Sequence, residues 1–581
     1  MARLDPDRRR RAVDVAQGRR PADLLLTNVQ LVNTLTGEVY PAQVAVAAGV
    51  VAAVLGPGDA TVPAVEVVDG KGRYAAPGLV DSHLHIESSM VLPPAFAAAV
   101  VPRGVLTVIA DPHEIANVMG SAGIELMAEA SRGLPLDVFL QAPSCVPATA
   151  LETAGAELGP DAVGALLARE EMLALGEVMD FHAVLAQEGR VVEVLREALD
   201  RGAVVEGHAP GLSGRDLAAY VAAGVTSDHT LVTPEMAVER LRSGVTLQLQ
   251  MKSLTPETIR AAAMRARSLN LCLVTDDVMP DDLAAAGHLD QVLRVAVARG
   301  LEPVEAIRAA TLAPAQRMGL EDRGAIAPGR LAHLVLTPSL EEFRAEVVFH
   351  AGRLVAAGGE LTVPLPGYSP PAVARQTVRI PPPPPEAFRV PARGSAVTVR
   401  VMEMHPHSTY TAVETARLAV RSGVIDWESS DLCLAAVFER HGRSGTVGYG
   451  FVRGAVRQGA VAMTWAHDSH NLLVVGRSAA EMAVAARWVV EAGGGMAAVR
   501  EAEVLGAVRL PIAGIVSDRS VSEVAAELGQ YRRALEALGF VHASPIMALG
   551  VLTLAVSPAL KLTDRGLVDV QAGRIVPLVV D

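Results

Sequence analysis

Aromatic residues make up only 3% of this 581-residue chain. Ala, Val and Leu must therefore fill its cores. Cysteine is scarcer still. Cys145, Cys272 and Cys433 lie far apart, which excludes a disulfide framework and a zinc knuckle. Cys433 sits inside an apolar run and reads as a small buried core residue. No run of about 18 uncharged apolar residues exists to cross a bilayer. The arginines Arg8 to Arg11 are not followed by an apolar signal-type stretch, because Asp14, Gln17 and Arg19 interrupt it. The cytoplasm is the expected compartment, with no membrane partner. Positive charge is also in deficit, with Lys+Arg 51 against Asp+Glu 64 and a net charge of −13. Such a chain is not steered toward nucleic acid. The arginine run reads as a solvated helix start.

What is present is length and apolar content. Hydrophobic residues make up 50% and charged residues 20%, as in a globular protein too long for one core. After an N-terminal helical segment at 1–22, residues 23–76 read as short strands between Gly and Pro clusters. A similar texture returns at 321–365, and the two stretches read as one β-domain split by an insertion. The insertion, 77–320, alternates apolar strands with Ala-rich helical stretches. Its strands end near His85, Asp111, Gln141, Glu177, His208, His229, Gln250 and Asp276. About eight strands, most followed by a helical pattern, predict an α/β fold of the (β/α)8-barrel type, whose chemistry sits at the C-terminal strand ends. A linker at 366–394 contains the run Pro381 to Pro385 and must be extended. A separate α/β domain is predicted over 395–581.

The most informative stretch is Pro77-Gly78-Leu79-Val80-Asp81-Ser82-His83-Leu84-His85. Residues two apart on a strand share a face, so His83 and His85 project together. The rest of a metal site follows at later strand ends: Glu177, His208, His229 and Asp276. These imidazoles and carboxylates would hold two divalent ions, with one carboxylate bridging. Ions so paired lower the pKa of a shared water toward neutrality. Ligands without thiolate leave manganese, iron and zinc open. Asp277 adjoins Asp276, but strand alternation would turn it to the other side.

The order of these ligands resembles the amidohydrolase superfamily. The wider wording is similar to the bacterial adenine deaminase family. The motifs that carry this are His83-Leu84-His85-Ile86-Glu87-Ser88-Ser89-Met90 and Ala110-Asp111-Pro112-His113-Glu114-Ile115-Ala116-Asn117. They continue through Gly207-His208-Ala209-Pro210-Gly211, Ser227-Asp228-His229, Thr275-Asp276-Asp277, Ala466-His467-Asp468-Ser469-His470-Asn471 and Leu560-Lys561-Leu562-Thr563-Asp564. The resemblance implies hydrolytic deamination of adenine to hypoxanthine and ammonia, as in purine salvage, by a hydroxide on a binuclear centre. That centre is usually loaded with manganese or iron, and manganese is expected here. Glu177 would take the bridging role. A purine is the expected small-molecule partner, and a homo-oligomer, a dimer, the expected assembly. The chain departs from the family at Thr230, where Glu is usual, and at Gln250-Met251-Lys252-Ser253, where Arg-Glu-Gly-Ser is usual. Another aminopurine or a cyclic amide is the alternative substrate.

The chemistry needs a nucleophile at C6, a proton for a ring nitrogen and a proton for the leaving amine. Asp276 is placed to pass a proton to the amine, with His229 beside it as a catalytic ligand. His113, Glu114 and Glu87 are candidates for the ring acid. Glu87, Ser88, Ser89 and Thr230 are the candidate substrate contacts, although Ser88 and Ser89 read equally as helix caps. His467, Asp468, His470 and Asn471 fit a lid, a second metal site or a hydrogen-bonded turn.

Overall fold

The computed structural model describes residues 5–266 and 269–580. A helix at Pro6–Ala16 opens the described chain, with the side chain of Asp5 capping it. The strands Ala22–Asn33, Glu38–Ala47, Val50–Leu55, Ala64–Asp69 and Tyr74–Pro77 enter one nine-stranded sheet. The same sheet takes strands from beyond the insertion. Leu334–Thr337 pairs antiparallel with Tyr74–Pro77, Leu334 opposite Pro77. Leu24, Leu26, Leu31 and Val44 then share a core with Leu334, Leu336 and Phe349. Two segments separated by some 250 residues therefore close one core.

Between them run the strands β1 (Leu79–Leu84), β2 (Val105–Ala110), β3 (Asp137–Ala142), β4 (Met172–Val178), β5 (Val204–Gly207), β6 (Ser227–Asp228), β7 (Thr246–Leu249) and β8 (Leu271–Leu273). They form a parallel five-stranded sheet, β5-β4-β3-β2-β1, and a parallel three-stranded sheet, β6-β7-β8. The sheets curl toward each other. A parallel bridge joins Leu84 to Asp276, just beyond β8. Across the other gap, the Thr226 amide donates to the Val205 carbonyl at 3.2 Å. Helices such as Arg190–Asp200 and Leu289–Ala298 cover the sheets, burying Val191, Val194, Leu195 and Ala198 in the first of them. Such apolar spacing is that of an amphipathic helix. Strand ends fall within three residues of those read from the sequence.

Two glycines allow close approach at the strand ends. At Gly176 a Cβ would sit 2.3 Å from Asp111 Oδ2, and at Gly207 it would sit 2.1 Å from the Ser227 carbonyl oxygen. Each glycine adjoins a residue of the site, Glu177 or His208, so close backbone approach positions both.

A second nine-stranded, mostly antiparallel sheet runs from Ala396–His405 to Glu503–Arg509. Its central strands alternate strictly. Ala460, Ala462, Leu472 and Val474 face a core shared with the helix Ala479–Glu491. Val461, Met463, Leu473 and Val475 face the core that continues into the curled parallel sheet. Period-two burial with both faces covered explains why these strands read as unbroken apolar runs. Residues 366–394 reach this unit with two short 3-10 turns, and Phe388 is wholly buried in its core. No described helix is long and apolar enough to cross a membrane.

Candidate active site

The C-terminal ends of β1, β4, β5 and β6, with the segment after β8, converge on one cavity of about 440 Å³. Glu177, at the end of β4, lies at its centre. Its Oε2 meets His208 Nδ1 at 2.5 Å and His229 Nε2 at 3.3 Å. Its Oε1 lies 3.3 Å from His85 Nε2. Asp276 Oδ1 stands 3.5 Å from His85 Nε2 and 3.8 Å from His83 Nε2. The rings of His83 and His229 stack, with centroids 3.8 Å apart. Three groupings within this cluster place their ligand atoms close enough to share a cation: His83/His85/Glu177, His83/His229/Asp276 and Glu177/His208/His229.

Backbone and neighbours hold these side chains. His85 Nδ1 pairs with the Asp111 carbonyl at 3.0 Å, which leaves Nε2 for the centre. The Glu177 amide donates to Asp111 Oδ2 at 3.0 Å. Tyr220 donates to the Val178 carbonyl at 2.5 Å and accepts from the His208 amide at 3.0 Å, clasping the ends of β4 and β5. Burial, with His229 beside it, pushes His83 down to about 3. Against burial, His208 and His229 hold the Glu177 carboxyl well below the usual carboxylate range. Against burial, Glu177 raises His229 to about 9.

Asp276 enters the site by a route that strand alternation does not describe. β8 ends at Leu273, and Asp276 has φ +61°, in the left-handed region. The expectation that Asp277 points away is corrected accordingly. Both residues line the cavity, Asp276 among the histidines and Asp277 accepting from Ser88 Oγ at 2.5 Å.

Glu87, Ser88 and Ser89 are buried but do not line the cavity. The turn Ile86–Ser89 carries them away from it. Glu87 Oε1 accepts from the Ile115 amide at 3.2 Å, and Ser89 donates to the Ile86 carbonyl at 2.6 Å. Thr230 does line the cavity, with its hydroxyl donating to Asp228 Oδ1 at 2.8 Å. Asp228 is paired in turn with buried Arg240 at 2.8 Å.

His113 and Glu114 also line the cavity. Glu114 is one of the three candidates for the ring acid. Against burial, His467, His470 and His113 hold its carboxyl well below the usual range, so it is an anion. His467 Nδ1 lies 2.6 Å from Glu114 Oε1, and His470 Nε2 bonds Oε2. His467 and Asp468 reach the cavity from the C-terminal sheet unit. Ser469 donates to Glu152 at 2.5 Å, and Asn471 Nδ2 donates to the Thr153 carbonyl at 2.9 Å. Sequence spacing missed Gln250 as a partner of Asp276. Its Nε2 donates to Asp276 Oδ2 at 2.7 Å and to the His229 carbonyl at 3.0 Å.

Residues 74–355 match the amidohydrolase family, and residues 408–574 match the adenine deaminase C-terminal domain. The chain is 44% identical to an adenine deaminase of Nitratidesulfovibrio vulgaris, over 96% of this chain and 97% of that one. It is 43% identical to an adenine deaminase of Moorella thermoacetica, over 98% of each. Among solved structures, an N-acetyl-D-glucosamine-6-phosphate deacetylase of Mycobacterium smegmatis aligns over 57% of this chain and 99% of that one, with 21% identity and a TM-score of 0.45.

Proposed function

The chain belongs to the adenine deaminase family, and from that premise we propose that it hydrolyses adenine to hypoxanthine and ammonia at the cluster around Glu177. The observation that carries the siting is a set of buried imidazoles whose ring nitrogens lack partners. His83 has neither nitrogen hydrogen-bonded, and His229 Nδ1 is unpartnered too. Buried polar atoms without partners are costly unless something else meets them, and a cation would. The donor set of imidazoles and carboxylates suits divalent manganese, iron or zinc. We take manganese as the resident metal.

His83, His85, Glu177, His208, His229 and Asp276 would hold a pair of divalent ions. Bound there, the ions supply acidified water and polarise what they touch. The residues do the rest. Asp276, aimed by Gln250, takes a proton from the water and delivers it to the departing amine. Glu114 is an orienting anion. His113 packs its ring against His85, with centroids 4.6 Å apart, and forms part of the cavity wall. Thr230 shapes the rim.

Architecture and setting complete the reading. The two curled parallel sheets form a closed (β/α)8 barrel over 77–320, inserted into the β-domain of 23–76 and 321–365. The segment 366–394 links them to the C-terminal domain, 395–581. The enzyme works in the cytoplasm as a homodimer on a free purine. Ammonia release from adenine by the manganese-loaded full-length chain tests the activity. Release from other aminopurines but not from adenine would reject it.

A further inference from the structure

The six ligands leave one requirement of the chemistry unmet. Attack at C6 pushes an electron pair onto the neighbouring ring nitrogen N1, which then needs a proton. Glu177 and Asp276 are engaged among the ligand histidines, and the two oxygens of Glu114 are met by His467 and His470. The remaining histidines at the cavity can be compared directly. His113 turns Nδ1 toward Asp111 (3.4 Å) and Glu177 (3.8 Å), and Nε2 toward Glu114 (3.6 Å). His542 accepts from the Ser544 amide with Nδ1, and its Nε2 bonds the Ser408 carbonyl. His407 is exposed at the mouth. His113 Nδ1 and His467 Nε2 are both buried without a hydrogen-bond partner on rings that line the cavity. His113 Nδ1 lies between the carboxylates of Asp111 and Glu177, whereas His467 has its Nδ1 taken by Glu114 and its Nε2 left over.

Both structural units fix that ring. The His467 amide donates to the Gly550 carbonyl at 3.1 Å, and its carbonyl accepts from Thr553 Oγ1 at 2.7 Å. Trp465 packs edge-on, with centroids 4.4 Å apart. Three residues later His470 anchors the same loop to Glu114. His470 Nδ1 accepts from the Ala466 amide at 3.2 Å, so its proton sits on Nε2, toward Glu114. The loop therefore reaches the cavity already ordered.

Resting on the adenine reading above, we propose that His467 is a catalytic residue supplied by the C-terminal domain. Its Nε2–H protonates purine N1, and Glu114 acts as the positioning residue that holds Nδ1. The balance is simple. Water loses one proton, its oxygen bonds C6, and N1 takes the Nε2 proton. The C6–amine bond then breaks, and the amine leaves as ammonia with the second water proton, carried by Asp276. The N1 proton stays in hypoxanthine, and His467 recovers the proton that water first released. The charged groups facing His467 are Glu114, Asp468 and Asp277, with His113 beyond Glu114 and His470 on the same loop. Against burial, Glu114 raises His467 to about 10, so the imidazolium persists at neutral pH.

Full-length wild type, His467→Gln, His467→Ala and Glu114→Gln, matched in metal content, are compared across pH with adenine. His467→Gln should lower kcat by about 10²–10⁴-fold with little change in KM. The alkaline decline of the wild type should vanish from what remains. Added imidazole should restore part of the His467→Ala rate, which a merely structural role would not allow. Glu114→Gln should move the alkaline decline to lower pH. A His467→Gln kcat within about threefold of wild type, or an unchanged pH profile without imidazole rescue, overturns the assignment. Should the variants not fold, a crystal structure of wild type with hypoxanthine decides it. His467 Nε2 within hydrogen-bond distance of N1 supports the role, and a ring turned elsewhere overturns it. A wild type inert toward adenine would instead overturn the substrate reading.

Discussion

Gln250 Nε2 donates to Asp276 Oδ2 at 2.7 Å and, from the same nitrogen, to the His229 carbonyl at 3.0 Å. One amide therefore ties the end of β7 to two residues of the centre and fixes which carboxylate oxygen of Asp276 faces the histidines. Partners that orient a ligand from behind are worth about 10–100-fold in activity or metal affinity. Gln250→Met should lower kcat by about that factor while the protein stays folded. Steady-state kinetics at matched metal content checks this, and an unchanged kcat would remove Gln250 from the account.

Glu177 touches His85, His208 and His229 at once. Glu177→Gln should therefore lose metal as well as rate, whereas His83→Ala should lose rate with part of the metal retained. Elemental analysis of protein purified without chelator measures both. Full metal content in Glu177→Gln would reduce Glu177 to a rim carboxylate.

Arg240 and Asp228 form an ion pair that is almost wholly buried beneath Thr230. Removing one partner leaves a buried charge alone, at a cost of about 3–5 kcal/mol. Arg240→Met should lower thermal stability by that order, read as a fall in Tm and in denaturant midpoint. A variant as stable as the wild type would mean that the carboxylate finds another partner.

Glu152 lies on the loop that receives Ser469, and burial raises its carboxyl from 4.5 to about 8. The folded state then holds a proton that the unfolded state has released between those two values. Stability contributed in this way is complete below about pH 4.5 and is lost as pH rises through about 8. Glu152→Gln should flatten that part of the Tm-versus-pH curve. An equally steep decline in the variant would place its origin elsewhere.

The strand ends were legible because most of these strands carry a short apolar run stopped by a polar or glycine residue. His83, His85, Glu177, His208 and His229 were legible for that reason. Asp276 was legible by residue type only. Its entry depends on a left-handed φ, which no periodicity encodes. Glu87, Ser88 and Ser89 adjoin His85 in sequence, but a tight turn takes them behind the wall. The meeting of Glu114 with His467 and His470 spans some 350 residues and depends on how two sheets pack, which local pattern does not record. Gln250 sat inside a segment read as altered rim, and only coordinates show its amide on Asp276.

The central claim is that this chain removes ammonia from adenine with the residues around Glu177. The most direct measurement is ammonia release from adenine by the manganese-loaded full-length protein, run beside His83→Ala. The expected result is stoichiometric hypoxanthine and ammonia from the wild type, with turnover abolished in the variant. Equal turnover in both proteins, or no ammonia from adenine with the metals bound, would contradict it.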